Sequence, residues 1–314
     1  YLMLGGGLDS GDSSTSVIVN NLTKDLFADT GGNINSSAES SDYVGELTVN
    51  TGELDYNDST VFHLGTGETR LNTVEKNVTG TGGTIDLTVE ADDLDTNTLT
   101  ISGDADVQVN DASDDVDASG STGELDVNSE TDSTFTITTG TDETTVTSAG
   151  SASDITVAAG NLQNDGDDAT SELILDGEGA VTANAVDADV DAGVLDGKLE
   201  VNTQSGADVS VTAGNADAVI QASGSATDVD IDATAMDQSE ILTLFGAGAV
   251  AVDNAQSEVI IDADGDSTET GDIELTGALD VDLANGASDV EIRTGSANTS
   301  VGGDASGDGA LDTS

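Results

Sequence analysis

A long internal repeat restricts the possible folds of this chain more than any other feature of its sequence. Related strings, GELTVN, GELDVN, GKLEVN and GDIELT, start at Gly45, Gly123, Gly197 and Gly271, so the successive intervals are 78, 74 and 74. Val107 and Val181 keep the step of 74, and so do Val116 and Val190. A fixed period of this length is typical of a chain built from stacked or tandem copies of one structural unit.

The repeat divides the chain into five segments. We assign residues 1–44 to an N-terminal cap or assembly segment, 45–122, 123–196 and 197–270 to three β repeats, and 271–314 to a partial fourth repeat. Within the repeats, apolar and polar residues alternate in short runs such as DVSVTAG and DVDIDA, which Gly, Asn, Asp or Ser interrupts. Alternation with a period of two predicts β-strands with one buried face. We therefore expect an all-β protein.

Two all-β architectures fit seven or eight short strands per repeat: a parallel β-solenoid and a series of tandem β-sandwich domains. Sandwich domains usually need Trp, Tyr and Pro in their cores and corners, whereas this chain has no Trp, no Pro and three Tyr. A solenoid fills a narrow core with stacked small aliphatic side chains. The composition therefore favours the repeat-built parallel β-solenoid. The positions predicted to face its core are Val107, Val116, Ile155, Val181, Val190 and Val229.

The charge balance limits the partners of the chain. Its 63 acidic and 5 basic side chains give a formal net charge of -58. Self-repulsion of this size opposes a compact state unless cations gather at the surface or occupy specific sites. Nucleic acid and anionic membranes would repel the chain, so we predict neither nucleic-acid binding nor membrane insertion.

Three loops rich in carboxylates are candidates for Ca²⁺ binding, because this cation prefers six to eight oxygen ligands. The predicted ligands are Asp262, Asp264, Asp266 and Glu269 in the first loop, Asp165, Asp167 and Asp168 in the second, and Asp304 and Asp308 in the third. In the first loop Gly265 permits a turn, although its position differs from the glycine of an EF-hand. The alternative for each loop is a solvated acidic surface without a metal.

Catalysis is a poor match for the composition. The chain has one histidine, His63, and no cysteine. A nucleophile with its general base, or a histidine metal centre, is difficult to assemble from such residues. A pair of carboxylates is able to hydrolyse a glycoside, but sugar sites usually carry aromatic platforms, and aromatic residues make up 2% of this chain. We therefore predict that the protein is not an enzyme.

The strings SGSATDVDIDATAM, ILTLFGAGAVAVDN and GGDASGDGALD resemble the β-solenoid regions of bacterial surface-layer proteins and large RTX-type adhesins. The resemblance covers roughly residues 80–314, and Gly302 to Asp312 match the RTX nonapeptide GGxGxDxxx imperfectly. It implies secretion, an extracellular lattice or adhesive fibre, and Ca²⁺-dependent assembly. Haloarchaeal surface glycoproteins share the acidity of the chain.

The expected function is that of a structural subunit of an extracellular surface layer or filament. Its main partner would be further copies of itself, with a cell-surface glycan as a second kind of partner. The alternative function is that of a stalk or binding module of a cell-surface adhesin or viral fibre. A carbohydrate-active enzyme is a more distant third reading. Self-assembly in Ca²⁺ would favour the first function, whereas a monomer that binds a glycan or a cell would favour the second.

Overall fold

The fold was obtained as a computed structural model. It describes residues 2–3, 16–22, 26–27, 46–54, 60–64, 67–75, 85–92, 94, 97–162, 171–237, 239–255, 258–260, 275, 277–283, 292–293 and 298–303. The regular elements of these residues are all β-strands, and the strands form a parallel β-solenoid. The predicted fold class is therefore confirmed, and the alternative of tandem sandwich domains is wrong.

The chain divides into two compact units, residues 1–155 and 156–314. The strands of unit 1 are β1 (Leu2–Met3), β2 (Ser16–Leu22), β3 (Leu26–Phe27), β4 (Glu46–Leu54), β5 (Thr60–His63), β6 (Thr69–Glu75), β7 (Leu87–Glu90), β8 (Leu99–Gly103), β9 (Val107–Ala112), β10 (Val116–Ser121), β11 (Leu125–Ser129), β12 (Thr134–Thr138) and β13 (Thr144–Ser148). The boundary between the units falls within β14 (Asp154–Ala158).

Unit 2 has the same kind of strands. They are β15 (Leu173–Gly177), β16 (Ala180–Val186), β17 (Val190–Leu195), β18 (Leu199–Thr203), β19 (Asp208–Thr212), β20 (Ala218–Ala222), β21 (Asp228–Asp232), β22 (Ile241–Gly246), β23 (Ala249–Ala255), β24 (Glu258–Ile260), β25 (Ala278–Leu283), β26 (Ile292–Arg293) and β27 (Asn298–Gly303).

Each coil of the solenoid contributes two strands. Within each unit, odd-numbered strands neighbour odd-numbered strands, and even-numbered strands neighbour even-numbered ones. We call these two arrangements the odd sheet and the even sheet of the unit. Val107 of β9 is the register partner of Leu125 of β11, and Leu199 of β18 is the partner of Ala218 of β20. The number of residues in one coil here therefore equals the difference between the residue numbers of two such partners. The neighbouring strands are parallel.

Aliphatic side chains form continuous columns along the core. In the odd sheet of unit 1 the register aligns Val89, Val109, Val127 and Val146. In the even sheet of unit 2 it aligns Ala183, Val201, Ile220 and Leu244. All eight side chains are fully buried. Each buried valine, isoleucine or leucine contributes roughly 1.5–3 kcal/mol to stability.

The predicted core positions are confirmed. Val107, Val116, Ile155, Val181, Val190 and Val229 are all at most 1% exposed. Each belongs to a strand in which buried and more exposed residues alternate. The two-residue period of the strand explains this result, because side chains two positions apart lie on the same face.

A repeat of the sequence corresponds to seven strands, which is three and a half coils. The strings that start at Gly45, Gly123 and Gly197 supply β4, β11 and β18. Because seven is odd, equivalent strands alternate between the sheets. In unit 1, β4 belongs to the even sheet and β11 to the odd sheet. In unit 2, β18 belongs to the even sheet, and its equivalent, β25, to the odd sheet.

Glycines occupy the corner before three of these equivalent strands, because successive coils approach closely there. A Cβ atom on Gly123 would lie 2.5 Å from the carbonyl oxygen of Ala105, and one on Gly197 would clash with the carbonyl of Gly179. In the fourth copy the same corner is formed by Gly277, whose Cβ would clash with the carbonyl of Gly248. Gly277 thus takes the same structural place as Gly197, and Gly271 lies outside the described residues.

The described strands of the N-terminal segment continue the same stacking. Strand β2 pairs with β4 in parallel, with Val17 opposite Leu47. On the outward side of the even sheet of unit 1, Asn50 donates a hydrogen bond to Asn20 (2.8 Å), and Asn72 donates one to Asn50 (2.6 Å). Such an amide ladder satisfies polar groups along the stack and adds no charge.

The corner at Gly197 provides a test of the close approach between coils. The Gly197→Ala variant is expected to lose about 2 kcal/mol of unfolding free energy, since the added methyl group forces backbone to move in a packed region. Gly160→Ala is the control, because its added Cβ would meet nothing closer than 3.4 Å. This control should be neutral or slightly stabilising. Urea-induced unfolding measures both variants, and equal midpoints for the two would contradict the proposed corner geometry.

Candidate functional surfaces: stacked carboxylates

All nine predicted metal ligands lie outside the described residues. Asp165, Asp167 and Asp168 fall in 163–170; Asp262, Asp264, Asp266 and Glu269 fall in 261–274; and Asp304 and Asp308 fall in 304–314. Among the residues that the structure does describe, no group of three or more His, Cys, Asp or Glu side chains is placed to hold a metal ion. The calcium loops therefore stay predictions.

His63, the one histidine of the sequence, lies at the end of β5. Its side chain is half-buried, and its register partner on β7 is Glu90. This position agrees with the interpretation of His63 as an ordinary strand residue. The prediction that the protein is not an enzyme is not tested by this geometry.

An acidic residue lies before each of four successive strands in the odd sheet of unit 1. Asp86, Asp106, Glu124 and Glu143 precede β7, β9, β11 and β13, and we call them the acid stack. The backbone N–H of Asp106 donates to Oδ2 of Asp86 (3.2 Å), and that of Glu124 donates to Oδ1 of Asp106 (2.9 Å). Because neighbouring strands are about 4.8 Å apart, the stack holds carboxylates of successive coils close together.

Two members of the acid stack have raised pKa values. Burial, followed by the charges of Asp106, Glu143, Asp142 and Asp126, raises the pKa of Glu124 from 4.5 to about 7. Burial also raises the pKa of Glu143, and Asp142 and Asp126 raise it further. Both effects have the same physical origin, since a low-dielectric environment and like charges each disfavour the ionised carboxylate.

Unit 2 carries a second acidic surface, on the outward side of its odd sheet. Asp208 of β19 lies directly opposite Asp228 of β21, and Asp232 of β21 lies opposite Asp253 of β23. Asp230, between these pairs, has the neutral register partners Ser210 and Ala251. We call Asp208, Asp228, Asp230, Asp232 and Asp253 the acid ladder. Like charges directly opposite one another destabilise a sheet.

Two exposed members of the ladder, two positions apart on β21, have pKa values shifted in opposite directions. Partial burial and the charges of Asp228, Asp208 and Asp253 raise the pKa of Asp230. For Asp232, partial burial acts to raise the pKa, but hydrogen bonds from Thr234 and Asn254 outweigh it and the pKa is lowered. Oδ1 of Asp232 accepts from the backbone N–H of Thr234 (3.0 Å) and the Asn254 amide (3.1 Å).

The acid stack is not apparent from local sequence motifs. The members of the acid stack recur once per coil, so no short window contains two of them. The signal is nevertheless present, because an acid precedes each of these four alternating runs at the spacing of one coil. A search at the coil period would find the stack, whereas a search at the period of the long repeat does not.

Comparison of the chain with protein families, with curated proteins and with solved structures finds no match. The described residues also contain no helix of sufficient length and apolar character to cross a membrane.

The acid ladder predicts opposite effects for two otherwise identical substitutions. Asp230→Asn should stabilise the protein at pH 7 by about 0.5 kcal/mol, because it removes a charge that faces like charges. Asp232→Asn should destabilise it by a similar amount, because hydrogen bonds to an ionised acceptor are stronger than those to a neutral one.

The pH dependence of these effects has a definite sign. The lowered pKa of Asp232 means that its contribution is present at neutral pH and is lost as the pH falls through its folded-state pKa. The raised pKa of Asp230 means that its penalty disappears in acid. Urea unfolding at neutral and acidic pH measures both. Shifts of the same sign for the two variants at pH 7 would contradict the prediction.

Proposed function

We propose that this chain is a secreted, non-catalytic structural subunit of an extracellular surface layer or filament. It associates with further copies of itself through its β-rich faces, and Ca²⁺ bridges its acidic loops. The observation that carries the proposal is the alternation of equivalent strands between the two sheets. Within each unit, this alternation places strands of similar sequence in both sheets.

The residues of unit 2 illustrate this two-sided character. Glu200 on β18 and Asp280 on β25 follow the equivalent core residues Leu199 and Leu279. Glu200 belongs to the even sheet and Asp280 to the odd sheet, and both side chains lie on the outward sides. A unit that carries similar outward residues on both of its sheets is able to bind another copy through either sheet, which supports growth of a layer or filament.

Association of acidic faces requires a counterion. Burying uncompensated carboxylates against one another costs several kcal/mol for each charge. Between Lys76 and Lys198 the sequence contains no lysine or arginine, so this long stretch of the chain has no cation of its own. Divalent cations with oxygen ligands are the chemically suitable bridge, and Ca²⁺ tolerates the irregular geometry of loops from two molecules.

The proposal predicts that divalent cations control assembly. Purified full-length chain in millimolar Ca²⁺ should form sheets or filaments visible by electron microscopy, and a chelator at constant ionic strength should dissolve them into monomers. Monovalent salt alone, matched in ionic strength, should not restore the assemblies. Assemblies that survive the chelator and contain no metal by elemental analysis would contradict the proposal. A monomer that binds glycans or cells under both conditions would favour the adhesin stalk instead.

The loop around Gly265 provides a separate test of calcium binding. Replacing both Asp264 and Asp266 by Asn should reduce the increase in melting temperature that Ca²⁺ produces, since it removes two ligands. The matched control replaces Asp228 and Asp230 by Asn, which removes the same number of charges from the acid ladder. This control should raise the melting temperature with and without Ca²⁺. An unchanged Ca²⁺ stoichiometry in the Asp264/Asp266 variant, together with higher stability, would exclude this loop as a site.

A further inference from the structure

We infer that the acid stack makes the coils of β9, β11 and β13 responsive to pH. These coils become more stable as the pH falls from mildly alkaline to mildly acidic, and less stable as it rises again. This pH response is local to these coils, because it depends on acidic residues that lie in one column on successive coils of unit 1.

The backbone keeps the residues of the acid stack one coil apart. Val107 N–H donates to the carbonyl oxygen of Glu124 (2.9 Å), and Leu125 N–H donates to that of Glu143 (3.0 Å). The carboxylate of Asp106 is itself the acceptor for the backbone N–H of Glu124 (2.9 Å). Separation of these residues would therefore break hydrogen bonds that join the coils, so the folded state keeps their acidic side chains on neighbouring coils.

The charged groups that face Glu124 are all acidic. They are Asp106 before β9, Asp126 on β11 itself, and Asp142 and Glu143 before β13. The amide of Gln108 on β9 donates a hydrogen bond to Asp126 (3.0 Å), but it is neutral and binds a neighbour of Glu124. In the described part of unit 1, Arg70 is occupied with Glu68. Protonation of Glu124 therefore directly reduces the repulsion among these acidic side chains.

The sign of the pH effect on stability follows from the direction of the pKa shift of Glu124. Burial, followed by the neighbouring charges, raises the pKa of Glu124 from 4.5 to about 7 in the folded chain. Between these two values the folded state holds a proton that the unfolded state has lost. The stabilisation is therefore complete in acid, and it is lost as the pH rises through about 7.

The sequence contains its own comparison for this position. Lys198 lies one repeat after Glu124 and takes the same place in unit 2, where Val181 N–H donates to its carbonyl oxygen (2.9 Å). The positions equivalent to Asp106 and Glu143 are Ala180 and Asp217. The fold therefore accepts either sign of charge here, and the coils around Lys198 lack the column of acids.

Hydrogen exchange of the intact chain, followed by mass spectrometry, tests the inference. Protection factors are corrected for intrinsic exchange and measured at about pH 5.5 and about pH 8.5 at constant ionic strength. Peptides from β9, β11 and β13 should lose protection on the order of tenfold at the higher pH, the equivalent of one pKa unit. Peptides from β16, β18 and β20 supply the internal reference, and they should change less.

Two variants decide the role of Glu124. Glu124→Gln and Glu124→Lys should each raise the protection of β11 at the higher pH and remove most of its pH dependence. Glu130→Gln is the control, since Glu130 is exposed beyond the end of β11; it should behave as the wild type. A Glu124→Gln variant that keeps the wild-type pH response would overturn the inference. Loss of unit 1 protection at both pH values in Glu124→Gln would also overturn it, because removal of the charge must stabilise the stack.

Discussion

Each aliphatic side chain of the core lies beside its counterpart in the next coil, because parallel strands pair in register at a spacing of about 4.8 Å. The columns Val89–Val109–Val127–Val146 and Ala183–Val201–Ile220–Leu244 show this arrangement in the two units. A coil with only two short strands encloses little volume, so small aliphatic residues fill it and aromatic residues are scarce. Between the register shifts of individual strand pairs, the register that aligns the core also aligns the outward side chains with their counterparts.

The outward faces therefore bring side chains of the same kind close together. In this chain several arrangements limit the repulsion or the unsatisfied polar groups that would result. Asn20, Asn50 and Asn72 form a neutral ladder whose members satisfy one another. Asp230 alternates with Ser210 and Ala251, so that its direct partners are uncharged. Asp232 instead receives hydrogen bonds that favour its ionised form. At Glu124 none of these arrangements is present, and burial together with the neighbouring acidic charges raises its pKa.

The sequence pattern predicts the strands and their buried positions correctly because the period of two is local. The short alternating runs around Val107 and Val181 are sufficient to predict that both side chains are buried. The number of strands per repeat is harder to predict, because the sequence pattern allows seven or eight. This number decides whether equivalent strands share a sheet. The acid stack depends on neighbours one coil away, which the longer repeat period conceals, and the nine predicted metal ligands lie outside the described residues.

A repeat of three and a half coils places equivalent strands in different sheets. Such a repeat is therefore possible only where the same strand sequence fits either sheet. The strings GELDVN and GKLEVN provide the same buried pair, Leu125 and Val127 in the odd sheet of unit 1, and Leu199 and Val201 in the even sheet of unit 2. Because either sheet presents the same kind of column to the core, a strand does not need to match one particular side. The residues at the corners before equivalent strands are then free to differ, as Glu124 and Lys198 do. Copies of one sequence unit can thus preserve a uniform core while their corners carry charges of opposite sign.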